Sequence, residues 1–301
     1  MQQLISDLQA AQVGEIRLNE KLAPYTTWKI GGPADLLIVP VSKEAIAASI
    51  RILVRHQVPW TVIGRGSNLL VADKGIRGAV IKLGDTLETL RFDGTTVYAG
   101  ASYSFIKLSV LAAKAGLTGL EFAGGIPGSV GGAVYMNAGA HGSDVSRILK
   151  QAEVILDSGE IVTMQADDLR YAYRHSVLHT LPGIVTEAVF ELVEGDRKEI
   201  AGAMAAYRDR RLRTQPLQLA CAGSVFRNPQ GGFAAKLIEE AGLKGKRVGG
   251  AEVSELHANF IVNTGNATAV DVLTLIEEIQ QIVLDKYGIS LVPEVLVVGE
   301  R

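Results

Sequence analysis

The chain has 301 residues, 48% of them hydrophobic and 21% charged, which is the composition of a folded protein with a large core and not of a disordered one. Its formal net charge of −2 argues against a basic surface for nucleic acid. Cys221 is the sole cysteine, which excludes an internal disulfide and a thiolate metal cluster and fits a reducing compartment. The N-terminal MQQLISDLQAA lacks the basic start and apolar run of a signal peptide, and no apolar stretch approaches the ~20 residues that span a bilayer.

Residues 2–12 read as a short helix with Leu4, Leu8 and Ala11 on one face. Gly31-Gly32-Pro33 is a turn signal, followed by a buried strand at 36–39. A helix is expected over 43–56, striped by Ile46, Ile50 and Val54, and then a strand at 61–63. That strand enters Gly64-Arg65-Gly66-Ser67-Asn68-Leu69-Leu70. A dinucleotide-binding Rossmann turn would carry a third Gly and open a helix; here the apolar run continues as strand. Taken alone, the loop fits equally a hairpin turn and a cradle for pyrophosphate. Short strands follow at 79–83, 87–92 and 96–99, with Asp93-Gly94 as a hairpin turn, then a helix over 104–115 closed by Gly116.

The stretch from Gly124 to Ala140 organises the chain. Six of its first nine residues are Gly or Pro, poor material for the core of a helix or strand. Apolar residues interleave with the glycines, which sets the stretch apart from a flexible linker. It reads as a loop whose backbone amides face an anionic or planar ligand. Strands return at 152–156, 160–164 and 184–192. Leu169-Arg170-Tyr171-Ala172-Tyr173-Arg174-His175-Ser176 holds two arginines, two tyrosines and a histidine, a set suited to carboxylate recognition and equally to an exposed loop. A helix over 197–213 ends in Arg208, Arg210, Arg211 and Arg213; these cations either complement the helix dipole or meet an anionic substrate. Helices are expected at 233–241 and 268–287, the second with a Thr268–Asp271 capping box and an apolar face of Val272, Ile276, Ile279 and Val283. A strand at 259–263 lies between them. A last strand at 290–298 contains Pro293-Glu294, a carboxylate that needs either an edge position or a function.

Six motifs occur in order: TTWKIGGPAD, GRGSNLL, AGGIPGSVGGAVYMNAGA, YAYRHS, AGSVFRNP and PEV. Together they resemble the UDP-N-acetylenolpyruvoylglucosamine reductases, flavoenzymes of bacterial peptidoglycan synthesis, from about Thr26 to the C-terminus. The short gap between Arg174 and Ser224 is similar to the shorter of that family's two structural types. The resemblance implies an α+β, FAD-binding fold of the vanillyl-alcohol-oxidase type: a first flavin subdomain at 1–83, a second at 84–200, and a smaller substrate-binding domain at 201–301.

By the same resemblance, FAD is bound non-covalently and NADPH is the co-substrate, with no metal. Gly64, Arg65, Gly66, Ser67, Asn68 and Leu69 would receive the pyrophosphate. Gly124, Gly125, Ile126, Pro127, Gly128, Ser129, Gly131, Gly132, Asn137 and Gly139 would line the rest, Ser129 and Asn137 through their side chains. Arg174 matches the family's active-site arginine, Ser224 its proton donor and Glu294 its C-terminal acid. Tyr173, Arg211 and Asn228 fall where substrate contacts are expected, and Arg227 stands where the motif commonly has Lys. NADPH would reduce the flavin, which then passes hydride to the terminal carbon of the enol ether, while Ser224 protonates the neighbouring carbon and Arg174 stabilises the enolate-like charge. A charged carboxylate would repel that enolate, so Glu294 is expected to be protonated or hydrogen-bonded. The partners implied are UDP-N-acetylglucosamine-enolpyruvate and no nucleic acid, membrane or obligatory protein, in the cytoplasm. An oxidase of the same fold, or a nucleotide-binding module without catalysis, are the competing expectations.

Overall fold

The computed structural model describes residues 1–301. Seven α-helices form: Gln2–Ala10 (α1), Lys43–Arg55 (α2), Phe105–Ala115 (α3), Val130–Met136 (α4), Arg197–Thr214 (α5), Ala234–Glu240 (α6) and Ala269–Tyr287 (α7). Three larger sheets follow one another along the chain. The first has four strands in the order Gly14–Lys21, Pro33–Pro40, Ile76–Lys82, Trp60–Ile63. The second has five, in the order Ile161–Gln165, Leu149–Leu156, Gly183–Glu191, Thr96–Gly100, Leu90–Asp93, and its neighbours run antiparallel. The third orders Ala220–Cys221, Ile261–Asn263, Ala251–Val253 and Arg247–Val248.

Contacts divide the chain into two compact units, neither of them continuous: 1–18, 36–65 and 78–209 in the first, 19–35, 66–77 and 210–301 in the second. Residues 19–35 and 66–77 group with the C-terminal residues and not with their sequence neighbours.

In the first unit, α2 lays Ile46, Ile50 and Leu53 into a core with Leu36, Ile38, Ala79 and Ile81. The expected stripe through Val54 is corrected: Val54 is 50% exposed, because the i, i+4, i+7 face runs through Leu53. Ala11, expected on the inner face of α1, is exposed just beyond the helix end. α3 buries Phe105, Leu108 and Ala112 in the same core, and Gly116 closes it in the left-handed conformation. The Gly-rich stretch is not all loop: 121–125 is a 3₁₀ helix, and α4 runs through Gly131 and Gly132. The helix tolerates Gly131 because it packs against backbone. Gly131 N donates to Ala101 O at 2.9 Å, and a Cβ at Gly131 would lie 2.9 Å from that of Ala101.

In the second unit, α7 has the expected capping box and buries Val272, Ile276, Ile279 and Val283. Its first amides also donate to the carboxylate of Asp73: Ala269 N at 2.8 Å and Val270 N at 3.0 Å. Trp28 is fully buried, with Nε1 donating to Ile261 O at 2.8 Å, while Asn263 Nδ2 donates to Trp28 O at 2.9 Å. These bonds explain why two short N-terminal segments belong with the C-terminal residues. No helix is long and apolar enough to cross a membrane.

Candidate active site

Each predicted site residue lies on one unit or the other. Gly64, Arg65, the 124–139 stretch, Tyr173 and Arg174 are on the first; Gly66, Ser67, Asn68, Leu69, Arg211, Ser224, Asn228 and Glu294 are on the second.

On the first unit, Ser129 is the N-cap of α4, its Oγ accepting from Gly132 N at 3.4 Å. Gly64 faces it so closely that a Cβ would stand 2.6 Å from Ser129 Oγ. Beside this approach lie two cations. Lys82 is half-buried, and its ammonium pKa is held below the usual lysine range by burial, then by the charge of Arg65, against the opposing pull of Asp85. A helix N-terminus capped by a hydroxyl, a backbone with no side chain in front of it and two like charges fit the diphosphate of FAD. Lys82 went unnoticed in the sequence, since a lysine closing an apolar strand carries no local signal.

Arg174 sits at the tip of a tight hairpin. Ala172 and His175 exchange both backbone hydrogen bonds, 3.0 and 3.1 Å, leaving Tyr173 and Arg174 as the two-residue loop. Arg174 has φ of 55°, left-handed for a side-chain-bearing residue. Its guanidinium donates to Gly139 O and lies 4.9 Å over the Tyr173 ring, which is 50% exposed. Asn137, expected as a cofactor contact, is 2% exposed with both ends of its amide engaged in protein: Nδ2 donates to Ala172 O at 3.0 Å and Oδ1 accepts from Ser146 N at 3.0 Å. Its side chain is a strut beneath the hairpin. No group of three or more His, Cys, Asp or Glu side chains is placed to hold a metal.

On the second unit, the backbone joins the Ser224 and Glu294 segments. Glu294 N donates to Val225 O at 2.7 Å, Phe226 and Pro293 form an antiparallel bridge, and Arg227 N donates to Val292 O at 2.9 Å. The expected strand at 290–298 is therefore regular only at Leu296–Val298, where it pairs in parallel with Leu69–Val71. Asn68 Nδ2 donates to Glu294 O at 3.2 Å, so a residue expected at the cofactor and the expected acid share one hydrogen bond. Asn259 was not anticipated. It is 4% exposed and grips Phe226 like a neighbouring strand, Oδ1 accepting from its N at 2.9 Å and Nδ2 donating to its O at 2.8 Å. The one signal was a polar residue within the apolar run at 258–262.

Arg211 is half-buried, with Nε donating to Gln215 Oε1 at 2.7 Å. Burial lowers its pKa and raises that of the nearby Cys221 thiol. Asn228 is exposed, and its Oδ1 accepts from Ala234 N at 3.1 Å at the start of α6.

Two family models match. Residues 215–298 match the C-terminal domain of UDP-N-acetylenolpyruvoylglucosamine reductase, and residues 34–165 match an FAD binding domain. A UDP-N-acetylenolpyruvoylglucosamine reductase 1 of Bacillus cereus is 53% identical over 300 residues, 99% of this chain and 100% of the relative. A reductase of Bacillus licheniformis is 50% identical over 302 residues, the full length of both. The crystal structure of the corresponding reductase from Thermus caldophilus superposes with a TM-score of 0.80 at 39% identity, covering 94% of this chain and 98% of that one. A berberine bridge enzyme variant aligns over 64% of this chain and 44% of its own at 16% identity and a TM-score of 0.52, a likeness of fold alone.

Proposed function

The chain belongs to the UDP-N-acetylenolpyruvoylglucosamine reductase family, and from that premise we propose that Arg174, Ser224 and Glu294 carry the reduction of an enolpyruvyl ether to a lactyl ether on UDP-N-acetylglucosamine. The enzyme is an FAD-containing oxidoreductase of peptidoglycan precursor synthesis. FAD, when bound, would supply the hydride chemistry between NADPH and the enolpyruvyl group.

The protein's own residues do the rest. Gly64, Arg65 and Ser129, with the amides at the start of α4 and the Lys82 charge, would hold the FAD diphosphate on the first unit. By the family resemblance, Gly66, Ser67, Asn68 and Leu69 are also proposed FAD contacts. Arg174 presents a planar cation to the substrate carboxylate, where negative charge develops, and a fixed donor aimed at such charge is commonly the largest catalytic contribution. The Ser224 hydroxyl gives its proton to the adjoining carbon from a fixed side, which sets the stereochemistry of the lactyl product. A serine suffices as acid because a carbanionic centre is a far stronger base than water. Glu294, tied through its backbone to Val225, orients a proton or a water for that step. Tyr173, Arg211 and Asn228 are the proposed substrate contacts. Three flavin and substrate portions, 1–83, 84–200 and 201–301, remain our working division, supported by the succession of three sheets. The substrate is a small molecule, and the compartment is the cytoplasm.

The observation that carries this reading is that the likeness spans the whole chain, including the C-terminal domain that bears Ser224 and Glu294. An oxidase of the same fold gives no reason for those two motifs. Anaerobic NADPH should bleach the flavin absorbance, and the enolpyruvyl nucleotide should restore it. Bleaching that only oxygen reverses would favour the oxidase.

A further inference from the structure

Arg174 occupies a backbone conformation that the hairpin does not favour by itself. Two-residue hairpins prefer type I′ or II′ turns, both of which have positive φ at the first central residue, supplied by Asn, Asp or Gly. Here only the second central residue has positive φ, and it is an arginine. Such strain persists only where the surroundings over-determine it. The exposed Tyr173 beside it contributes little packing. The Arg174 guanidinium is itself tied to Gly139 O, and the other groups packed against the hairpin add to that restraint.

Below it lie three rings in a column. His179 stacks on Tyr135 at a centroid distance of 4.3 Å and on His175 at 4.8 Å, with interplanar angles of 29° and 17°. Tyr135 belongs to α4 and His175 to the hairpin, so His179 touches both. Its Nδ1 lies 3.1 Å from Ser176 O and 3.4 Å from Ser176 N, which fixes the ring plane. Ser176 is fully buried, and its Oγ donates to Tyr135 O at 2.6 Å. Hairpin and α4 therefore meet through one hydroxyl, one amide strut at Asn137 and the His179 ring between the two others.

We propose that His179 is a positioning residue for Arg174: its ring, stacked between Tyr135 and His175, holds the strained hairpin so that the guanidinium is presented to the substrate carboxylate. This rests on the reading of Arg174 as the charge-stabilising residue. His179 touches neither substrate nor cofactor in this scheme. Its effect is confined to the half-reaction that uses Arg174, and the ring matters more than its nitrogens.

The test uses the FAD-loaded enzyme with His179→Ala, His179→Phe, Arg174→Ala and the double variant His179→Ala/Arg174→Ala. Two quantities are read: hydrogen exchange of the Ala172 and His175 amides, and stopped-flow reoxidation of NADPH-reduced enzyme by the enolpyruvyl nucleotide. His179→Ala should speed exchange at those amides at least about tenfold and slow reoxidation about 10- to 100-fold, the scale of a misplacement near 1 Å. Reduction by NADPH should change less than about threefold. His179→Phe should restore most of both. The double variant should be no slower than Arg174→Ala alone, since one residue acts through the other. If His179→Ala does not fold, His179→Leu makes the same comparison with the side-chain volume kept. Unchanged exchange, a Phe variant as slow as Ala, or additive losses in the double variant would overturn the proposal. Fast reoxidation in Arg174→Ala would instead overturn the reading of Arg174.

Discussion

Replacing Gly64 with alanine places a methyl group 2.6 Å from Ser129 Oγ and 3.7 Å from Ser129 Cβ. Gly64 is not among the residues with positive φ, so its backbone accepts alanine. Only the hydroxyl must give way. Its bond to Gly132 N is long, 3.4 Å, and losing such a cap costs about 0.5–1 kcal/mol, the weak end of the range. That is a fall of about 1–4 °C in Tm for the protein without flavin. The effect on FAD should be larger. A hydroxyl turned away from a diphosphate forfeits a charge-assisted hydrogen bond of about 1.5–3 kcal/mol, which is about 10- to 100-fold in Kd. Fluorescence titration of the apoprotein with FAD measures this directly. Ser129→Ala should weaken FAD by a similar factor. The double variant Gly64→Ala/Ser129→Ala should be little worse than Ser129→Ala alone, because 3.7 Å is ordinary contact. FAD binding within about twofold of the parent in Gly64→Ala, or additive losses in the double variant, would refute the cradle. Gly66→Ala is the contrasting case. Gly66 has φ of 62°, and its Cβ would run into the carbonyl oxygen of Tyr25, so the loss should appear as instability before any flavin is added.

Ser224→Ala should leave FAD binding and reduction by NADPH nearly intact while slowing reoxidation by the enolpyruvyl nucleotide more than about 10⁴-fold, beyond the usual loss of a general acid; Ser224→Cys, with a thiol pKa of about 8.5 in water, should recover part of it, and a near-normal stopped-flow rate in Ser224→Ala ends the assignment. Trp28→Ala should cost about 3–5 kcal/mol in urea unfolding of the second unit, and Trp28→Phe about 1–3 kcal/mol, because Ile261 O then loses its donor; a Phe variant as stable as the parent would show that bond to be dispensable. Acid precipitation should release all the yellow colour into the supernatant, and colour retained in the pellet would mean a covalent flavin.

The sequence announced what periodicity can announce. In α7 the four apolar positions and the Thr268–Asp271 box point one way, and the helix forms over Ala269–Tyr287, closed by Gly288. In α2 the pattern was right but the face was read one residue off, at Val54 in place of Leu53. The strand Gly14–Lys21 was missed because Ile16 and Leu18 are its only large apolar residues and Leu18 is 52% exposed. The helix at Val130–Met136 was missed for the opposite reason. Its glycines argue against a helix locally, and the close approach to Ala101 accounts for Gly131. For Asn137 the resemblance implies a cofactor contact, and the structure shows its amide bonded to Ala172 O and Ser146 N.

The site motifs follow a different logic from the helices. On its own residues GRGSNLL fits a hairpin and a cradle equally. The strands on either side of it do not pair with each other as in a hairpin: Trp60–Ile63 pairs with Ile76–Lys82 and Leu69–Val71 with Leu296–Val298, in different sheets. Asn68 then ties the two segments together. Its side chain meets Glu294 O, and its own carbonyl accepts from Leu296 N at 3.0 Å. Trp28, Asp73 and Asn259 are alike in this respect. Each is a side chain bound to backbone far away in sequence, at Ile261, at Ala269 and Val270, and at Phe226. A residue selected by a distant backbone group carries no periodic signal, yet it is intolerant of replacement, because a buried amide or carbonyl left without its partner costs about 1–3 kcal/mol. Of the three, only Trp28 lies inside one of the six motifs. Bonding to distant backbone also bears on the chemistry. Glu294 N is held by Val225 O and Glu294 O by Asn68, so shifting the acid's backbone away from the Ser224 segment breaks the first bond and shifting it away from Asn68 breaks the second.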